Sequence, residues 1–114
     1  MAMREDVEAV VQGILEGRIL ETFDAFYDDN VTMSENGIGE RFGKAENRQY
    51  EEQFVNGVEF HTARAGAILV DGDHAAVEWE LEFTPKGGER IIQHQVSVQT
   101  WRAGKIVREV FYHG

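Results

Sequence analysis

The second half of this 114-residue chain has the pattern of one long antiparallel meander, which constrains the fold more than any other feature. Four extended segments, residues 58–70, 74–84, 89–102 and 105–112, are separated by short turns. The turn at Asp71-Gly72-Asp73 carries an Asp-Gly pair, which tolerates the positive φ that tight hairpins require. Because long strands twist, we expect this half to form a curved antiparallel sheet.

The first half predicts three helices and one short strand. Apolar side chains recur at helical spacing over residues 4–16, 19–27 and 44–54. Between the last two helices we expect a polar turn at residues 28–30, a strand at Val31–Ser34 and a loop at residues 36–39. Helices followed by a sheet predict a single α+β domain over residues 1–114, with the helices on one face and a pocket beneath them.

Composition excludes several functions. The formal net charge is −10, which disfavours nucleic-acid binding because that affinity comes mostly from Lys and Arg. The chain has no cysteine, so thiol catalysis and disulfides are excluded. It has no glycine-rich phosphate loop and no metal-ligand spacing, so we expect neither a cofactor nor a metal. No apolar run is long enough to span a membrane, and the beginning of the chain lacks a signal core, so a cytoplasmic location is expected.

Strand alternation divides the predicted sheet into two faces. In the strand that begins at residue 74, Trp79 and Leu81 share the face expected under the helices. In the next strand Ile92, Val96 and Val98 alternate with Gln95, Ser97 and Gln99. Two arrangements fit this second pattern. Either the amide-rich face lies in solvent, or it lines a polar cavity while the apolar row contacts a second subunit.

Four segments together resemble one known family. Residues 17–29, 31–35, 42–45 and 97–107 are similar, in order and spacing, to SnoaL-like proteins. These are the polyketide-cyclase and ketosteroid-isomerase branch of the nuclear transport factor 2-like superfamily. The resemblance implies a cone-shaped fold, three N-terminal helices on a curved antiparallel sheet around a central pocket, and a homodimer through the outer sheet face.

The resemblance also implies a site for a small-molecule ligand. It places two candidate catalytic carboxylates, Glu35 and Glu109, around the cavity. It implies that the substrate-binding residues are Tyr50, Phe54, Trp79, Gln95, Ser97, Gln99 and Phe111. The tyrosine and aspartic acid of the isomerases fall near Val10 and on Ser97, so ketosteroid isomerisation itself is not expected.

Each carboxylate has two interpretations. If Glu35 points inward, burial raises its pKa and it can act as a base; otherwise it is a solvated loop acid. Glu109 either takes part in the chemistry or pairs with a cation such as Arg64. If the two carboxyls lie close together, repulsion is expected to raise one pKa.

Two functions therefore remain. The first is an enzyme that cyclises, isomerises or eliminates on a small, mostly apolar oxygenated metabolite. The second is a non-catalytic binding or dimeric interaction module of the same fold. A buried glutamate with a strongly raised pKa favours the enzyme, whereas a filled or collapsed cavity favours the module.

Overall fold

A computed structural model describes residues 3–114 as three helices and six strands. The helices are α1 (Met3–Leu15), α2 (Ile19–Phe26) and α3 (Lys44–Gly57). The strands are β1 (Tyr27–Glu35), β2 (Ile38–Phe42), β3 (Val58–Asp71), β4 (His74–Pro85), β5 (Ile91–Arg102) and β6 (Lys105–His113). The four-stranded meander and the three helices are confirmed, with bounds that differ from the predicted ones by a few residues.

The six strands form one sheet in the order β2-β1-β6-β5-β4-β3. The pairing between β1 and β6 is parallel, and the other pairings are antiparallel. The parallel pair arises because the chain leaves β1, runs through β2, α3 and the rest of the meander, and returns beside β1 only as β6. The sheet is therefore mostly antiparallel, as predicted, with one parallel seam.

Two predictions for residues 28–39 were wrong. Asn36 and Gly37 both have positive φ, 55° and 73°, and form a tight hairpin turn rather than the start of a loop. Ile38–Phe42 then pairs with β1 as an edge strand. Asp28 to Asn30 continue β1 instead of forming a separate turn, although the pairing with β6 shifts register between Tyr27 and Thr32.

Register shifts bend the sheet around the helices. They interrupt β3 twice, between Phe60 and Thr62 and between Ala65 and Ile68. Another lies where β5 meets β6. Such bulges increase the local twist and bend the strand. The apolar core fills one side of the concave face, and its buried members are Val7, Val10, Val11, Phe23, Tyr27, Val31, Met33, Ala75, Val77, Trp79, Trp101 and Ile106.

None of the helices described is both long and apolar enough to cross a membrane.

Candidate functional site

A cavity of about 360 Å³ lies between the helices and the concave face of the sheet. Its apolar lining consists of Ile14, Ile19, Phe54, Phe60, Trp79, Leu81, Phe83 and Phe111. Its polar lining consists of Tyr27, Glu35, Tyr50, Glu51, Gln93, Gln95, Gln99, Glu109 and His113. The cavity therefore combines a mostly aromatic wall with a wall of carboxyl, amide and hydroxyl groups, a composition that suits small-molecule ligands.

Glu109 is the most deeply buried acid of this site, at 2% exposed. The Tyr27 hydroxyl donates a hydrogen bond to its Oε1. Its Oε2 accepts hydrogen bonds from Ser97 Oγ at 2.5 Å and from Gln99 Nε2 at 3.1 Å. Burial raises the pKa of Glu109 above its ordinary value, while these three donors act to lower it. Glu109 is thus a fixed buried acid whose four lone-pair sites are largely occupied by donors.

Trp101 orients the Gln99 side-chain amide, which donates a hydrogen bond to Glu109. Its indole Nε1 donates to Gln99 Oε1 at 2.9 Å, and an indole nitrogen can only donate. The Gln99 oxygen is therefore the atom that faces Trp101, and the Gln99 nitrogen is left to face Glu109. Tyr27 is held in a similar way, because its ring stacks on Phe23 at 4.5 Å between centroids. Burial and the neighbouring Glu109 raise the pKa of Tyr27 well above its ordinary value, so its hydroxyl remains a donor.

Glu51 faces the cavity from α3 in a different environment. Among residues 3–114 no side chain or backbone group forms a hydrogen bond or ion pair with it. The residue is half-buried and lines the cavity. Burial raises the pKa of Glu51 to about 7, with a further contribution from the charge of Glu109. Glu51 is thus an acid that changes its protonation state near neutral pH.

Glu35 lies at the end of β1 and is held by two basic side chains. His113 Nε2 lies 2.8 Å from its Oε1, and the Arg41 guanidinium lies 3.7 Å from its Oε2. Arg41 also lies over the Tyr50 ring, with its Cζ 3.7 Å from the ring centroid. Asn36 fixes the position of His113, since Asn36 Oδ1 accepts a hydrogen bond from the His113 backbone at 2.9 Å. Glu35 is therefore a paired carboxylate at the cavity wall.

The structure brings the sequence-predicted site residues together around one cavity. Those that line it are Glu35, Tyr50, Phe54, Trp79, Gln95, Gln99, Glu109 and Phe111. Ser97 is fully buried behind them and contacts two of them, since its hydroxyl donates to Glu109 and accepts from Gln99. The predicted ion pair between Glu109 and Arg64 is wrong, because Arg64 lies on the outer face, where its Nη1 is 2.9 Å from Glu80.

Two important residues, Glu51 and Tyr27, were missed, and each carried a periodic signal. Glu51 lies one turn after Asn47 and one residue after Tyr50, on the helical stripe that continues to Phe54. Tyr27 lies at even spacing from Glu35 along β1, but the polar residues between them indicated a turn. The family register placed His113 beside Glu109 and Phe111, although its position next to the end of the chain also suggested fraying.

No group of three or more His, Asp or Glu side chains in the described part of the chain is arranged to hold a metal ion.

Comparison with known proteins assigns this architecture. The model of the SnoaL-like domain matches residues 7–109. A protein from Mesorhizobium loti, provisionally assigned as a SnoaL-like polyketide cyclase, has a solved structure that superposes with a TM-score of 0.90 at 26% identity. That similarity covers 98% of this chain and 99% of the other. Among curated protein sequences none matches this chain.

More distant structures share the fold. One provisionally assigned as an isomerase, from Bacillus subtilis, has a TM-score of 0.84 at 18% identity and covers 100% of this chain and 90% of its own. A nuclear transport factor 2-like protein of unknown function from Cytophaga hutchinsonii has a TM-score of 0.77 at 12% identity, with coverage of 99% and 100%.

Proposed function

This chain belongs to the SnoaL-like domain family, and on that premise we propose that it is a cofactor-independent acid–base enzyme. The reaction class is the transfer of a proton within a small, mostly apolar molecule that carries a carbonyl or hydroxyl group, as in an isomerisation, cyclisation or elimination. The family includes cyclases and isomerases, and the Mesorhizobium loti relative provisionally carries a cyclase assignment.

The observation that carries this proposal is the unpaired Glu51 carboxyl in the cavity wall. A general base works best when its pKa lies near the working pH, and burial places the pKa of Glu51 at about 7. The negative charge of Glu109 contributes to that value. We therefore assign Glu51 as the proton-transferring group and Glu109 as the acid that tunes it. Glu109 itself is less free to react, because its oxygens already accept three hydrogen bonds.

Tyr50 supplies a donor beside this base. It lines the cavity one residue before Glu51, and burial raises the pKa of its hydroxyl above the ordinary value. The hydroxyl therefore stays protonated and can donate a hydrogen bond to a substrate oxygen. In the proposed step the ionised Glu51 removes a proton from the carbon next to a carbonyl, and Tyr50 stabilises the resulting enolate oxygen. The Glu51 carboxylic acid then returns that proton to another carbon, so the step is balanced.

Deuterium exchange tests this proposal without knowledge of the natural substrate. The protein is incubated in D₂O with a panel of cyclic enones and 1,3-diketones, and NMR follows the loss of protons next to the carbonyl. We expect catalysed exchange that rises with pH through about 7 as Glu51 ionises. Glu51→Gln should lose most of this exchange.

Glu52→Gln is the matched control because Glu52 follows Glu51 on α3 but points to solvent, where it pairs with Arg48. It should exchange like the wild type. Equal exchange by Glu51→Gln and the wild type, or no catalysed exchange for any compound on the panel, would contradict the enzyme proposal. The non-catalytic binding module would then be the better description.

A further inference from the structure

The polar wall of the cavity has an excess of negative charge. Three glutamates line it, whereas no Lys or Arg side chain is among the described residues that form the lining. Glu35 is compensated by Arg41 and His113, which lie against its two oxygens. Glu51 and Glu109 form no ion pair in the described part of the chain, and the charge of Arg41, which lies against Glu35, offsets the raised pKa of Glu51 only in part. These two acids raise each other's free energy when both are ionised.

The apolar part of the cavity lining consists largely of aromatic rings. Phe54 contacts Phe60 and Phe83 edge to face, with centroids 6.3 Å and 5.3 Å apart. Trp79, at 5% exposed, adds the largest ring of the lining. Aromatic faces attract organic cations, and Trp does so most strongly. This wall is independent of the carboxyl groups, and it favours an apolar ligand with or without a positive charge.

We infer that the ligand of this cavity is a hydrophobic organic cation, a protonated amine carried on an apolar body, with its ammonium group beside Glu51. The inference rests on the proposed function, since it names the substrate class of the same site: a carbonyl compound that also carries an ammonium group, which binds one oxygen of the Glu51 carboxylate and leaves the other to take the proton. Glu51 is the expected partner because it lines the cavity and its carboxyl forms no hydrogen bond or ion pair with the residues described. An ammonium group there would replace the missing cation, while the aromatic wall would hold the apolar body.

A matched pair of probes separates charge from shape. 2-Phenylethylamine and 2-phenylethanol differ chiefly in the ammonium group, and the amine stays protonated throughout pH 6 to 8. Isothermal titration calorimetry at pH 8 should show the amine binding at least about tenfold more tightly than the alcohol, a preference typical of a desolvated ion pair. Cyclohexylmethylamine and cyclohexylmethanol repeat the comparison without an aromatic ring in the ligand.

The preference should depend on pH because the amine selects the ionised form of Glu51. The titratable and charged groups that face Glu51 are Tyr27, Glu35, Arg41, Tyr50, Glu109 and His113. With the pKa of Glu51 at about 7, the ionised fraction rises from roughly a tenth at pH 6 to roughly nine tenths at pH 8. Amine affinity should therefore rise by up to about tenfold over this range with release of a proton, while alcohol affinity stays constant.

Glu51→Gln should reduce the affinity for the amine to that for the alcohol, and Glu52→Gln should leave both unchanged. The inference is overturned if neither amine binds more tightly than its alcohol, or if Glu51→Gln retains the preference. The calorimetry requires no turnover, so its result is distinct from that of the exchange assay. Amine-selective binding without catalysed exchange would support this inference and contradict the enzyme proposal. Catalysed exchange without a preference for the amine would support the enzyme proposal and overturn this inference.

Discussion

Glu51 and Glu109 line the same cavity, but their carboxyl groups differ in the hydrogen bonds that they accept. Three donors hold Glu109, so its burial is partly compensated by hydrogen bonds. Glu51 receives no such hydrogen bonds from the residues described, and its burial therefore raises its pKa to about 7. An uncompensated acid in a ligand cavity lowers stability, which is common where a group is kept for function rather than for folding.

The first prediction follows from the protonation of Glu51. The folded protein keeps this proton up to about pH 7, whereas the unfolded chain loses it near 4.5, so the free energy of unfolding falls as pH rises between these values. One pKa unit corresponds to about 1.4 kcal/mol, so the loss is limited to about 3 kcal/mol. Glu51→Gln removes the charge and should raise the free energy of unfolding at pH 8 by about 1 to 3 kcal/mol.

Urea unfolding at pH 4 and pH 8 measures this effect. At pH 4 the variant and the wild type should agree within about 0.5 kcal/mol, because Gln resembles the protonated acid. Glu52→Gln should show no such dependence on pH. A Glu51→Gln variant that is less stable than the wild type at pH 8 would contradict the assignment of Glu51 as an uncompensated buried acid.

The second prediction concerns the hydrogen bond that the Tyr27 hydroxyl donates to Glu109. Tyr27→Phe keeps the ring that stacks on Phe23 and removes only this donor. Leaving a buried acceptor without its donor costs about 1 to 3 kcal/mol, so the free energy of unfolding should fall by an amount in that range. Because the Tyr27 hydrogen bond lowers the pKa of Glu109, the loss should be larger at high pH than at low pH. An unchanged free energy of unfolding in Tyr27→Phe, or a loss that is the same at low and high pH, would exclude the proposed role.

At the level of single residues, the sequence identified the walls of the cavity better than its reactive group. Alternation along β5 and β6 only divided these strands into two faces, and the resemblance to SnoaL-like proteins decided that Gln99, Glu109 and Phe111 face the cavity. Glu51 could not be separated from its neighbour Glu52 by composition. The only signal in the sequence was the place of Glu51 on the stripe from Asn47 to Phe54, and the docking of α3 decides that this stripe faces the cavity.

Helix α3 is docked by Asn47, one turn before Glu51. Asn47 is fully buried, and its Nδ2 lies within hydrogen-bond distance of the backbone oxygens of Val31, Arg41 and Gly43, at 3.3, 3.1 and 2.8 Å. Its Oδ1 accepts a hydrogen bond from Arg41 at 3.1 Å. One amide thus joins α3 to both β1 and β2 and fixes the part of the helix that carries Glu51.

The third prediction removes this amide. Asn47→Ala leaves buried carbonyl groups without their donor, and each unsatisfied group costs about 1 to 3 kcal/mol. We expect a loss of about 2 to 4 kcal/mol in the free energy of unfolding, together with a shift of the Glu51 titration toward its ordinary value as α3 loosens. Gln49→Ala, on the exposed side of the same helix, should change neither quantity. NMR titration of the carboxyl groups and urea unfolding measure both, and an unchanged Glu51 pKa in Asn47→Ala would show that α3 is positioned by other contacts.

Secondary structure was predictable where one periodicity ran for many residues, as in the four long strands and in α1. It was not predictable at residues 28–39, where β1 changes register and the short edge strand β2 follows. The Asn36-Gly37 pair is itself a strong hairpin signal, but Ile38–Phe42 is mostly exposed and lacks the alternation that marks a strand. Residues 38–42 form a strand because they pair with β1, and that pairing is a contact between distinct parts of the chain.

On the scale of the whole molecule, the two faces of the sheet have different roles. The concave face holds the core and the cavity. The outer face exposes Ile92, Val96 and Tyr112, at 58%, 37% and 47% of their surfaces. Next to them Glu80 and Glu82 form ion pairs within the chain, with Arg64 and Arg90. An exposed apolar row bordered by paired charges is typical of a surface that contacts another protein.

The last prediction is that this outer face joins two copies of the chain into a homodimer. An interface between two copies places the same patch on both sides, so the apolar row of one subunit would lie against that of the other. Light scattering at micromolar concentration should give twice the mass of one chain. Val96→Glu should give the monomer, because it places two repelling carboxylates near the centre of the interface. Ile38→Glu is the matched control on the edge strand β2, where Ile38 is 76% exposed. A monomeric wild type, or a Val96→Glu variant that stays dimeric, would show that the outer face is not a dimer interface.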